Sequence, residues 1–199
     1  MSLIIDEDHL GADTELIYPN LQSCLSLTCR TRETLTGTHL TVGTSTKQAI
    51  AIFKKMIEWH TSPALSIYLI GSLEHFRTNV KKGSEGLRWQ KALVKTIRTS
   101  FKCPSQRIYA FDLTKKIGIG GAARVVWLGV DLSTCFCDYV LPGQYTETWG
   151  RRGDNLRLLK MRQKYGSTDI AGFSEPGNIK TVVFNTGATL VQPSEFTEA

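Results

Sequence analysis

Two residues of this chain, Cys24 and His39, have side chains and surroundings suited to covalent chemistry. Cys24 opens the alternating run Cys24-Leu25-Ser26-Leu27-Thr28-Cys29, and His39 lies in the next strand-like run, Thr34-Leu35-Thr36-Gly37-Thr38-His39-Leu40-Thr41-Val42. Arg30-Thr31-Arg32-Glu33 is a polar stretch able to turn the chain between them. Two antiparallel neighbours joined in this way present residues of both strands on one face, and the pairing register decides which. A thiol and an imidazole held within hydrogen-bond reach make an activated nucleophile.

The elements that must hold this pair can be read from hydrophobic period. Residues 1–20 are polar and read as an irregular N-terminal arm ending near Pro19. Strands are expected at about 24–29 and 34–42. Thr44-Ser45-Thr46 offers a helix cap, and Ala49, Ile50, Phe53, Met56 and Ile57 recur at helical spacing up to about His60. Leu65-Ser66-Ile67-Tyr68-Leu69-Ile70 is a strand stopped by Gly71. After a loop at 81–86, Leu87, Leu93, Val94, Ile97 and Phe101 mark a second helix, which Cys103-Pro104-Ser105 stops. Residues 107–113 resume extended structure, and 123–130 with 133–140 form a hairpin. A short helix at about 154–164 and a strand at 180–185 complete the chain. The pattern is a single α+β domain over 1–199, with mixed, largely antiparallel, sandwich-like β-sheets flanked by helices.

Composition excludes several classes. With 41% hydrophobic and 21% charged residues among 199, the chain can bury a full core and is not a disordered tail. No apolar run approaches the roughly 20 residues that span a bilayer, so no membrane insertion is expected. The acidic start, Met1-Ser2-Leu3-Ile4-Ile5-Asp6-Glu7-Asp8, lacks the features of a Sec-type signal. Five cysteines, at 24, 29, 103, 135 and 137, are odd in number and suggest no disulfide framework, which fits a reducing cytoplasm. The net charge of +6 is spread along the chain, and Trp89, Trp127 and Trp149 form no motif with basic residues, so no nucleic-acid partner is expected.

Ser23-Cys24-Leu25-Ser26-Leu27-Thr28-Cys29 followed by Thr36-Gly37-Thr38-His39-Leu40-Thr41 resembles the cysteine deamidase superfamily. That superfamily includes chemoreceptor glutamine deamidases, protein N-terminal asparagine amidohydrolases and the catalytic domains of cytotoxic necrotizing factors. The likeness in element order extends over about 20–140, through the helix after His39, the strand ending in Gly71-Ser72 and the strand Ile108–Leu113. It leaves 141–199 as a basic C-terminal extension. The resemblance implies Cys24 as nucleophile, His39 as general base and acid, and backbone N–H groups of Ser23 and Cys24 as oxyanion donors. It also implies a third element that orients the imidazole, for which Tyr18, Gln22 and Thr41 are candidates. The activity implied is deamidation of a protein glutamine or asparagine through a thioester, or transglutamination if an amine replaces water. The partner is then a protein substrate, met in the cell that makes the enzyme or in another cell as a delivered effector. No cofactor and no metal are implied.

Other residues have plainer readings. Cys29, five positions after Cys24, points to the opposite face and reads as core. Cys135-Phe136-Cys137 has no second ligand cluster at zinc spacing, and His60 and His75 lack a metal-binding context. Gly118-Ile119-Gly120-Gly121 reads as a turn and Thr114-Lys115-Lys116 beside it is no P-loop. The alternative to an enzyme is an inactive interaction module of the same fold, docking an acidic partner through Arg151–Lys164.

Overall fold

Alternation along a strand sorts side chains to two faces, and here both faces are apolar enough to be covered. A computed structural model describes residues 2–7, 9–19, 21, 24–41, 44, 46–60, 62–71, 73, 85–114, 124–129, 134–138, 145–151, 157–163, 170–174, 178–184 and 189–198. In chain order the first elements are β1 (Ser2–Ile4), β2 (His9–Asp13), β3 (Glu15–Pro19), β4 (Leu25–Arg30) and β5 (Leu35–Leu40). Helix α1 (Thr46–Glu58), β6 (Ser66–Gly71), α2 (Glu85–Phe101) and β7 (Ile108–Asp112) follow. The later strands are β8 (Arg124–Gly129), β9 (Thr134–Asp138), β10 (Tyr145–Arg151), β11 (Arg157–Gln163), β12 (Ile170–Ser174), β13 (Asn178–Phe184), β14 (Thr189–Val191) and β15 (Thr197–Glu198).

Two sheets result, one ordered β10-β13-β1-β3-β8-β9-β14 and the other β12-β11-β2-β5-β4-β6-β7-β15. Among the described residues only the β1–β3 and β6–β7 pairs are parallel. The α+β class, with largely antiparallel sheets stacked as a sandwich and helices on one outer face, therefore holds. Leu25, Leu27 and Cys29 of β4 pack with Phe53 and Met56 of α1 and Ile97 and Phe101 of α2. The opposite faces of β5, β6 and β7 meet the first sheet through Leu35, Ile70 and Phe111 against Leu3, Leu16 and Tyr18. No helix among the described residues is long and apolar enough to cross a membrane.

Packing, not surface pairing, holds the helices in place. Burying Phe53 or Met56 contributes about 1.5–3 kcal/mol each, whereas the exposed Lys55–Glu58 pair at 2.8 Å is worth about 0.3–0.5 kcal/mol. Ile52 takes the buried position on α1, and Ile50, expected on the apolar stripe, is 37% exposed. The two lie about 160° apart around a helix, since each residue advances it by about 100°.

Three expectations are corrected. Residues 1–20 are not an irregular arm but carry β1, β2 and β3. Their apolar stretches, such as Leu3-Ile4-Ile5 and Leu16-Ile17-Tyr18, are too short to register as a period, and distant partners such as β13 and β8 stabilise them. The helix expected at 154–164 is β11, paired with β2 through Leu158↔Gly11. The C-terminal part is not an appended extension: β13 lies beside β1, β14 beside β9 and β15 beside β7. Gly118–Gly121, His75 and residues 81–84 of the loop expected at 81–86 lie outside the described residues, whereas Glu85 and Gly86 open α2.

One contact ties the two sheets directly beneath β5. Tyr18 of β3 reaches over Gly37 to Thr28 Oγ1, with the two hydroxyl oxygens 2.5 Å apart. A Cβ at Gly37 would overlap the Tyr18 hydroxyl and lie 2.7 Å from a Leu16 methyl, so this position must remain a glycine. Gly37→Ala should destabilise the fold by about 1–3 kcal/mol, the usual cost of overpacking. In urea melts, combining it with Tyr18→Phe should recover part of that loss, and fully additive losses would contradict the contact.

Candidate active site

The register of β4 and β5 brings the thiol and the imidazole together. Ser26 stands directly opposite His39, so the two share a face. Cys24, two residues before Ser26, falls on that same face as the diagonal neighbour of His39. The Ser26 hydroxyl donates to the Ile70 carbonyl at 2.9 Å, which turns it toward β6. Cys24 itself is fixed from behind by Gly71. A Cβ there would sit 2.5 Å from the Cys24 carbonyl oxygen and 3.2 Å from Leu25 Cα. The glycine that ends β6 thus lets the backbone at Cys24 approach.

His39 is fully buried, and its orientation is set by a backbone group. Nδ1 lies 3.1 Å from the Ile5 carbonyl oxygen. A carbonyl only accepts, so Nδ1 carries the proton and Nε2 keeps a lone pair. Ile5 is itself pinned, its N–H donating to the Ile17 carbonyl at 2.7 Å and its side chain wholly buried between the sheets. Burial lowers the His39 pKa to about 4; the Ile5 hydrogen bond opposes this shift and His9 adds to it. The ring is therefore neutral at physiological pH, as a proton acceptor must be. Nε2 is buried with no hydrogen-bond partner among the described residues.

A carboxylate completes the cluster. Glu7, exposed in the turn between β1 and β2, has Oε1 3.5 Å from Cys24 Sγ, and the thiol donates. The His9 ring donates from Nδ1 to the Glu7 carbonyl at 2.9 Å, and the His9 N–H donates to the Asp6 carbonyl at 3.0 Å, which shapes this turn. The Cys24 sulfur, a His39 ring nitrogen and a Glu7 carboxylate oxygen all lie within 4.8 Å of one another. Cys24 is 4% exposed, and Glu7 stands on the solvent side.

Of the candidates for the orienting element, neither described one occupies that place. Tyr18 is fully buried with its hydroxyl bonded to Thr28, and burial pushes its pKa up. Thr41 Oγ1 lies 3.4 Å from Thr44 Oγ1, the two hydroxyls forming a local pair. Gln22 and Ser23 lie outside the described residues. The ring is oriented by the Ile5 carbonyl, and the third ionisable group is Glu7; sequence reasoning missed both. The only signal for Glu7 was an acidic triplet, Asp6-Glu7-Asp8, set between apolar runs. Cys29 and Cys103 lie in the helix-side core, where burial raises both thiol pKa values. None of Cys24, Cys29 and Cys103 is in a disulfide. The His60 ring lies 5.9 Å from that of Phe101, away from this cluster.

The sequence matches no protein-family model and no curated protein.

The buried neutral ring makes stability depend on pH. Between the folded value of about 4 and the ordinary 6.5, the unfolded chain binds a proton that the folded chain refuses. The resulting stability is complete above about pH 6.5 and is lost as pH falls toward 4, by on the order of 3 kcal/mol. Urea melts across that window should show a clearly flatter slope for His39→Gln than for the parent. Equal slopes would mean that the imidazole is not held neutral.

Proposed function

We propose that this protein is a cysteine-dependent amidohydrolase that deamidates a glutamine or asparagine side chain of a protein substrate. The observation that carries the reading is the cluster itself: a thiol and a neutral imidazole on one sheet face, with the ring turned by the Ile5 carbonyl. Its agreement with the resemblance to cysteine deamidases adds support that geometry alone does not supply.

In this reading His39 Nε2 accepts the Cys24 proton, and the thiolate attacks the carboxamide carbon. Backbone N–H groups at Ser23 and Cys24 are the proposed donors to the oxyanion. The imidazolium then gives its proton to the departing nitrogen, which leaves as ammonia and not as amide ion. Water, deprotonated by His39, attacks the thioester; the acid is released and the Cys24 sulfur regains its proton. The product is Glu from Gln, or Asp from Asn. Glu7 favours a carboxamide over a carboxylate substrate, because its oxygens can accept from the –NH2 group and repel an anion.

Burial is the observation that favours a second reading, an inactive interaction module of the same fold. With Cys24 4% exposed and His39 at 0%, the reacting atoms meet a substrate only through a narrow approach. Alkylation separates the two. An enzyme should lose activity to iodoacetamide through selective labelling of Cys24, since burial raises the pKa of the Cys29 and Cys103 thiols. Labelling of Cys24 no faster than of those two thiols would favour the module.

The direct test is ammonia release, with intact-mass detection of deamidation, on Gln- and Asn-bearing proteins from the producing cell and from candidate target cells. Cys24→Ser and His39→Gln should each lower the rate by about 10³-fold or more while the fold is retained. Full activity in either variant would refute the assignment.

A further inference from the structure

The orphaned nitrogen of His39 has a meaning beyond proton transfer. A buried ring nitrogen without a partner among the described residues calls for an explanation, and a thiol and a carboxylate lie with one nitrogen of this ring within 4.8 Å of one another. Sulfur, imidazole nitrogen and carboxylate oxygen are the donor types of zinc sites, and a thiolate disfavours magnesium or calcium. We propose that Glu7, Cys24 and His39 bind a zinc ion, and that this metal reversibly silences the thiol.

Three geometric facts support the site. With bond lengths of about 2.3 Å to sulfur and 2.0 Å to oxygen, a tetrahedral zinc separates these two ligands by about 3.5 Å. The Cys24 Sγ to Glu7 Oε1 distance is 3.5 Å. Secondly, a histidine that binds zinc through one nitrogen ordinarily donates its other N–H to a carbonyl or carboxylate, which fixes the ring. The bond from His39 Nδ1 to the Ile5 carbonyl is of that kind and leaves Nε2 for the metal. Thirdly, Glu7 is exposed while the other two ligands are buried, so an ion enters from the Glu7 side and retains a solvent position there. A three-ligand site with an open fourth position takes water.

Proton balance is simple. Zinc replaces the thiol proton, which leaves to solvent, and His39 binds as the neutral ring it already is, with its proton on Nδ1. Sulfur bonded to zinc gives one lone pair and much of its negative charge to the metal, which lowers its nucleophilicity, and the ring nitrogen bound to zinc no longer has a lone pair to accept a proton. Both working groups of the proposed hydrolase are thereby withdrawn together. The silencing rests on the amidohydrolase reading, whereas metal binding does not.

Cobalt(II) reports the site without any substrate. The full chain, treated with chelator and then titrated with cobalt chloride, should bind one ion. Binding should give thiolate-to-cobalt charge transfer in the near ultraviolet and intense visible bands of tetrahedral type, and zinc should displace the ion. Cys24→Ser should abolish the charge-transfer band. Glu7→Gln, a change at an exposed position, should weaken binding about 10-fold or more, and His39→Gln more still; circular dichroism confirms that each variant is folded. A charge-transfer band of unchanged intensity in Cys24→Ser, or the absence of saturable binding in the parent, overturns the site. If the hydrolase reading holds, equimolar zinc should remove its activity and chelator should restore it; activity unchanged or raised by bound zinc overturns the silencing. A chain that binds cobalt as described but hydrolyses no amide keeps the metal site and loses the enzyme, so the two failures are distinguishable.

Discussion

The hydrogen bond from His39 Nδ1 to the carbonyl of Ile5 is the constraint on which the site rests. It decides which nitrogen carries the proton, which way the ring faces and what is left for chemistry at Nε2. A side-chain acceptor at that place would need its own supports and a defined charge. The backbone of Ile5 needs neither, because its N–H is bonded to Ile17 and its side chain fills the space between the two sheets. The orientation of the imidazole is thus tied to the core itself.

Burial and reactivity act against each other here. Desolvation keeps the ring neutral and so able to accept a proton, but it also makes the imidazolium expensive. Glu7 sits at the exposed edge of the cluster, while the two groups it faces are buried. Cys29 shows the contrast. It lies five residues on, within β4 and on the opposite face, among apolar neighbours where burial raises its thiol pKa.

The middle of the chain was readable from sequence because its periods are long and clean. β4, β5, α1, β6, α2 and β7 follow from alternation, helical spacing and the punctuation of Gly71 and Pro104. The pairing of Cys24 with His39 on one face follows from the same alternation. Towards the ends only β13, expected at 180–185, is readable; β1–β3 and the other late strands include ones as short as two or three residues whose stability comes from partners far along the chain. Losing β1 and its following turn meant losing Ile5 and Glu7. A carbonyl oxygen is present at every residue and has no signature in residue type, so Tyr18, Gln22 and Thr41 were proposed in its place. Tyr18, one of those three, reaches Thr28 instead, in the room that the missing side chain of Gly37 leaves.

The pairing of Ser2 and Leu3 with Val182 and Thr181 has a consequence for how the protein is made. During synthesis the first strand emerges soon before β3 but long before β13, its other neighbour in the sheet, and such remote contacts close slowly. The backbone that orients His39 is thus flanked on one side by residues made early and on the other by residues made near the end of the described chain.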